Sequence, residues 1–187
     1  MILPVHIIGS SVLRKTAENI SKDYPALSEL IENMYETMYS SDGVGLAAPQ
    51  IGKSIRLFVI DAEPMSEEHP ELKGFRRTFI NAHIIDKKDE TIRTTEGCLS
   101  IPDIHEEVQR FSSVSIKYVN ENFEALTETF TGLAAVILQH EYDHLDGILF
   151  TDKVAPLRKK FLKRKLAQIA KGHFEKRYKY ILGEKFR

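Results

Sequence analysis

Apolar and polar residues alternate with two periods along this chain, and the change from one period to the other marks its elements. Between residues 25 and 39, Leu27, Leu30, Ile31, Met34 and Met38 recur at three- and four-residue spacings, which predicts an amphipathic helix entered through Asp23 and Pro25. The run Ser40, Ser41, Asp42, Gly43 then stops it. Residues 55–61 and 78–85 read as strands, and the acidic AEPMSEEHPELKG between them as a loop. Shorter strands are predicted at 91–95, 114–119 and 125–130, the last two forming a hairpin through Asn120 and Asn122.

From Thr131, a residue type suited to an N-cap, the sequence GLAAVILQHEYDHLDG sets Leu133, Val136, Ile137, His140 and His144 on one helical face, with Gly147 as the stop. A basic helix is predicted over 156–170, and HFEKRYKYIL after it alternates as a short strand. Helices and strands do not alternate regularly, which excludes a doubly wound sheet. The expected fold is α+β, with antiparallel strands packed around a central helix that carries the HExxH motif, plus a C-terminal helix. A length of 187 residues suits one domain, 1–187, ending in a basic segment, 153–187.

Composition narrows the class. With 42% hydrophobic and 28% charged residues the chain is of the globular type, and no run reaches membrane-spanning length. Its N-terminus lacks the basic start and long apolar core of a signal peptide, and Cys98, the only cysteine, can form no intramolecular disulfide. A cytoplasmic protein with neither a membrane nor a DNA partner is expected. The net charge of −1 conceals an asymmetry: segment 153–187 holds thirteen Lys or Arg against Glu175 and Glu184, so +11 there faces −12 in the remainder. Such a segment is either a solvated helix face or a surface for a polyanion such as RNA.

The chemistry concentrates in three places. His140 and His144 stand one helical turn apart, the spacing that lets two imidazoles bind one metal, and Glu141 beside them can reach a water at that metal. Two structural histidines would share that spacing, so a third ligand decides. Cys98, next to the flexible Gly97, supplies it; alone it would read as an inert buried thiol. Three protein ligands leave the open position that catalysis needs, and a Cys/His/His set accepts zinc, iron, cobalt or nickel. The third place, GVGLAAPQ at 43–50, loosely matches a dinucleotide fingerprint, but a helix precedes it and a strand follows, the reverse of what that fingerprint requires. A glycine-rich loop of this kind instead allows a substrate backbone to approach closely, and it presents the amide of Gln50.

GVGLAAPQ at 43–50, EGCLS at 96–100 and QHEYDHLDG at 139–147, in that order, resemble the three signature motifs of the peptide deformylase family, which removes the N-formyl group from nascent bacterial proteins. Val12, Leu13 and Arg14 are similar to the family's opening. The resemblance implies that Cys98, His140 and His144 ligate one divalent metal ion and that Glu141 is the general acid/base. It further implies that the Gln50 side chain and the Leu99 N–H stabilise an oxyanion, that the Gly45 backbone holds substrate, and that Glu96 pairs with Arg110 behind the site. It favours Fe2+ as the working metal, with Zn2+, Ni2+ or Co2+ as other occupants, and N-formylmethionyl peptides as substrates. Val44, Leu99 and Val136 flank the ligands and are expected to form part of an apolar pocket for a methionine side chain. The basic C-terminal segment is a candidate ribosome contact. Tyr142 departs from the aliphatic residue or Met usual in the family, and neither 103–107 nor the chain beyond about Lys171 has a matched role.

Two other readings compete. A zinc peptidase also uses HExxH, but usually takes its third ligand from downstream, whereas Cys98 lies upstream. A non-enzymatic, ribosome-associated metal-binding module would want a fourth ligand and gives Glu141 and Gln50 no task.

Overall fold

The computed structural model describes residues 1–184. In chain order it contains β1 (Val5–His6), α1 (Leu27–Ser40), β2 (Gly45–Ala47), β3 (Leu57–Asp61), β4 (Arg76–Lys87), β5 (Thr91–Cys98), β6 (Ile101–Phe111), β7 (Ser113–Val119), β8 (Ala125–Thr131), α2 (Gly132–Leu145), α3 (Pro156–Ala170) and β9 (Tyr180–Ile181), with 3-10 turns between several of them. Of the basic segment 153–187, residues 185–187 lie outside the described residues. The expected mixture of helices and antiparallel sheets is observed: one sheet runs β2-β3-β4-β7-β8 and a second is the β5-β6 pair. The exception is β1, which pairs in parallel with β9, Val5 opposite Tyr180.

The run Leu57, Phe58, Val59, Ile60 is apolar at every position because β3 is covered on both faces. Successive strand residues point to opposite sides. Leu57 and Val59 pack with Leu30, Met34 and Met38 of α1, while Phe58 and Ile60 pack with Ala135 and Leu138 of α2. The larger sheet is therefore the middle of three layers. A third apolar cluster joins Ile104 and Val108 of β6 to Leu162 and Ile169 of α3, with Ile7 and Leu13 from the N-terminal region.

Several predicted boundaries shift. The first helix starts at Leu27 after Ala26, which is left-handed (φ 52°) and makes no side-chain cap, so neither Asp23 nor Pro25 opens it. Thr131 flanks α2 without capping it; Gly132 (φ 59°) makes the turn, and its N–H donates to the Ser112 carbonyl. The acidic loop contains two 3-10 turns and is anchored by the fully buried Leu72. The strand predicted at 91–95 continues to Cys98, and β6 is an element the periodicity did not predict. Gly147 does end α2: its φ is 70°, and a Cβ there would sit 2.8 Å from the Arg14 backbone.

Candidate metal centre

Two elements bring the three ligand atoms together. Helix α2 carries His140 and His144 one turn apart, their ring centroids separated by 5.2 Å. Strand β5 delivers Cys98 at its last residue, where the ladder to β6 shifts register and Cys98 pairs with Ile101. Leu99 and Ser100 thus form a two-residue turn. The Cys98 Sγ lies 3.3 Å from His144 Nε2, and the ligand atoms of Cys98, His140 and His144 all fall within 4.8 Å of one another.

Behind the histidines runs a chain of charges. His140 Nδ1 is 2.7 Å from Glu96 Oε2, and Arg110 holds both oxygens of Glu96, at 2.7 and 2.8 Å. Arg110 also donates to Asp143, one residue before His144. Burial alone would push the Glu96 carboxyl up, but hydrogen bonds from Arg110 and His140 hold it down at about 2. Burial likewise pushes both imidazoles down; bonds to Cys98 and Glu96 reverse this for His140, which lies well above the ordinary range. His144, facing His140 and Arg110, stays well below it. A carboxylate on the far nitrogen of a ligating imidazole fixes its tautomer and raises its basicity, and Glu96 stands in that place.

Glu141 is 4% exposed, and burial pushes its carboxyl up to about 7. Among the described residues its Oε2 is a buried oxygen without a hydrogen-bond partner, as is the Nδ1 nitrogen of His144. One thiolate, two imidazoles and an unpartnered carboxylate oxygen beside them fit a divalent transition metal with an open position.

The sequence-predicted residues converge on one cavity of about 430 Å³. Cys98, His140, Glu141, Gln50, Leu99, Gly45, Val44 and Val136 line it, while His144 lies beneath its floor, 1% exposed. Gln50 is oriented by its own loop: its Oε1 accepts the Ala47 N–H at 2.8 Å, which turns its Nε2 toward Cys98 Sγ at 3.5 Å and Ser100 Oγ at 3.4 Å. Gly45 has a steric role that the sequence did not reveal. A Cβ there would stand 2.5 Å from Glu141 Oε1, so only glycine lets β2 pass over that carboxylate. Gly97 is similarly placed, since a Cβ would lie 2.7 Å from the His105 ring.

Other cavity residues carried no signal in spacing. His105 and Asp103 reach it from β6, and Glu175, Arg177 and Tyr178 reach it from the far end of the chain. Asp143 sits inside the HExxH segment, but its partner Arg110 is 33 residues away. Tyr142 has a packing account: the Arg56 guanidinium lies 5.2 Å from its ring centroid and donates to Asp146 at 2.8 Å.

Comparison with known proteins places the chain in a family. The polypeptide deformylase family model matches residues 2–160. A peptide deformylase from Flavobacterium psychrophilum is 50% identical over 194 aligned residues, covering 100% of both chains. Among solved structures, a peptide deformylase from Thermotoga maritima superposes with a TM-score of 0.75 at 40% identity, covering 83% of this chain and 99% of its own. A class I type b peptide deformylase from Acinetobacter baumannii with Met-Ala-Ser bound gives a TM-score of 0.75 at 33% identity, covering 82% and 99%.

Proposed function

Because the chain belongs to the polypeptide deformylase family, metal-dependent enzymes that remove the formyl group from nascent polypeptides, we propose specific roles for its residues in that hydrolysis. The observation that carries the assignment is the gathering of three ligand atoms within 4.8 Å beside the buried Glu141 carboxyl. Cys98, His140 and His144 would hold the cation, with Fe2+ favoured over Zn2+, Ni2+ or Co2+. Bound there, it would supply Lewis acidity and activate water for attack. Glu141 takes the proton of the attacking water and returns it to the leaving amine. Gln50 Nε2 and the Leu99 N–H donate to the formyl oxygen as negative charge grows on it.

N-formylmethionyl peptides are the substrate class, lying along the Gly45 backbone with the first side chain against Val44, Leu99 and Val136. The Met-Ala-Ser bound to the Acinetobacter relative supports a short peptide beginning with Met as the ligand. Residues 1–187 then act as one catalytic domain in the cytoplasm, where nascent chains emerge. No helix among the described residues is long and apolar enough to cross a membrane. A ribosome contact through α3 is supported by Leu157 and Phe161, 65% and 68% exposed among exposed Lys160, Lys163 and Arg164. Reversing those three charges weakens ribosome pelleting at low salt; unchanged pelleting removes that contact.

The test is formate release from formyl-Met-Ala-Ser by anaerobically prepared, iron-loaded protein. Glu141→Ala keeps its metal and loses about 10²–10⁴-fold in turnover, while Cys98→Ala loses the metal. Cleavage of unformylated peptides without formate release would establish the peptidase reading instead. Full activity of the zinc form in air would overturn the choice of iron.

A further inference from the structure

The chain beyond residue 160 lies outside the matched family model, yet it returns to the catalytic cavity. After α3 it runs back along the β5-β6 turn and is fastened there at several points. The Glu175 N–H donates to Asp103 Oδ2 at 3.0 Å, and the Lys165 ammonium donates to the Asp103 carbonyl. The Tyr178 hydroxyl donates to the Leu99 carbonyl at 2.5 Å. β9 pairs with β1 through Val5 N–H to the Lys179 carbonyl and Ile7 N–H to the Ile181 carbonyl, both 2.9 Å. β1 passes the restraint on, because the Ile8 N–H donates to the Ser100 carbonyl at 2.8 Å. Both carbonyls of the two-residue turn after Cys98 are therefore held from outside, one by the tail directly and one through β1.

We propose that Tyr178 is a positioning residue for the deformylation reaction, its hydroxyl fixing the Leu99 carbonyl and with it the turn that presents the Leu99 N–H. The inference rests on the role given above to that N–H. Only two residues separate Cys98 from Ile101, so the turn has little slack of its own, and displacements of about 1 Å in a positioned group can cost on the order of a hundredfold in rate. The Leu99 side chain adds a further restraint: it packs so closely over Gly43 that a Cβ there would be 3.2 Å from Leu99 Cδ1. The Tyr178 ring packs against the β6-α3 cluster, and a phenylalanine keeps that packing. The hydroxyl is the part that touches the turn. Its effect belongs to the formyl oxygen in the transition state; a deformylated peptide has no such oxygen and does not sense it.

The experiment compares Tyr178→Phe and Tyr178→Leu with the wild-type protein, all metal-loaded, for kcat and KM on formyl-Met-Ala-Ser, metal content, and Kd for Met-Ala-Ser. Both variants are expected to lower kcat by about five- to tenfold, the worth of one neutral hydrogen bond, with KM, metal content and product Kd unchanged. Wild-type kcat in the Phe variant overturns the proposal. So does Phe restoring what Leu loses, which would mean ring packing alone, or product Kd weakening in step with kcat. Failure of the wild-type protein to release formate would instead reject the assigned function, and is read from the same assay.

Discussion

Two of the cavity's walls, α2 and the β5-β6 pair, are buried by different physics. On α2 the buried run from Ala134 through Leu138 is an unbroken apolar stretch, and the buried polar residues Gln139, Glu141, Asp143 and His144 are confined to the turns after it. On β6 the inward positions are Pro102, Ile104, Glu106, Val108 and Arg110, so two of five are charged. Glu106 is 8% and Arg110 3% exposed, and each is compensated: Glu106 by Arg158, Arg110 by Glu96 and Asp143. Dispersion and water exclusion hold the first two turns of α2 without directional preference. The charges of β6 act along bonds, and the line from Arg110 through Glu96 ends on His140 Nδ1. The apolar wall thus gives the site its depth, and the ionic wall aims a ligand.

The strongest way to break that comparison is Arg110→Met. It leaves Glu96 and Asp143 facing a buried neutral side chain, and loss of one partner from a buried ion pair typically costs about 3–5 kcal/mol. Metal affinity should fall as well, by about 10–100-fold, because the group orienting His140 is released. Leu138→Ala, at a fully buried position of α2, should cost about 2–5 kcal/mol while leaving metal affinity unchanged. Urea unfolding and metal titration of both variants check this. Equal loss of metal in the two would mean that aim and depth are not separable.

Acid titration sharpens the contrast. Glu96 has a folded-state pKa of about 2 against an ordinary 4.5, so its contribution is fully present above 4.5 and is lost as pH falls through about 2. In chelated protein the stability gap between wild type and Arg110→Met should therefore narrow as pH is lowered from 5 toward 2. The gap between wild type and Leu138→Ala should stay level across the same range, since no proton is linked to it. Parallel behaviour of the two gaps in the unfolding data would refute the ionic account of β6.

The same contrast explains what could be read from the sequence. Period-3.6 patterning identified α1 and α2 from the apolar stripe each buries, and the His140, His144 and Cys98 set follows from spacing plus ligand chemistry. β6 escaped because Glu106 and Arg110 occupy inward positions, and a hydropathy pattern cannot distinguish a compensated buried charge from an exposed one. Gly45 suggested close backbone approach, but that it clears Glu141 depends on a contact 96 residues away in the chain. Tyr178 is further hidden: its bond to Leu99 spans 79 residues and follows no local period. The α1 entry was misread because Ala26, in a left-handed conformation with no capping side chain, resembles no start signal.

The smallest expected effect concerns the other charged position of β6. Arg158 is on α3 with its side chain 57% exposed, while the Glu106 side chain it grips is 8% exposed. Hydrogen bonds from Arg158 draw the Glu106 carboxyl below its usual range, but water and salt reach the cation and compete for it. Arg158→Met should therefore shift the urea midpoint far less than Arg110→Met does, and raising salt to about 0.5 M should erase most of the shift. Metal affinity should not move, because the chain of bonds to His140 begins at Arg110. A salt-resistant loss as large as that of Arg110→Met, or a fall in metal affinity, would show that the two pairs act as one network along β6, and the aiming function would then belong to the whole strand.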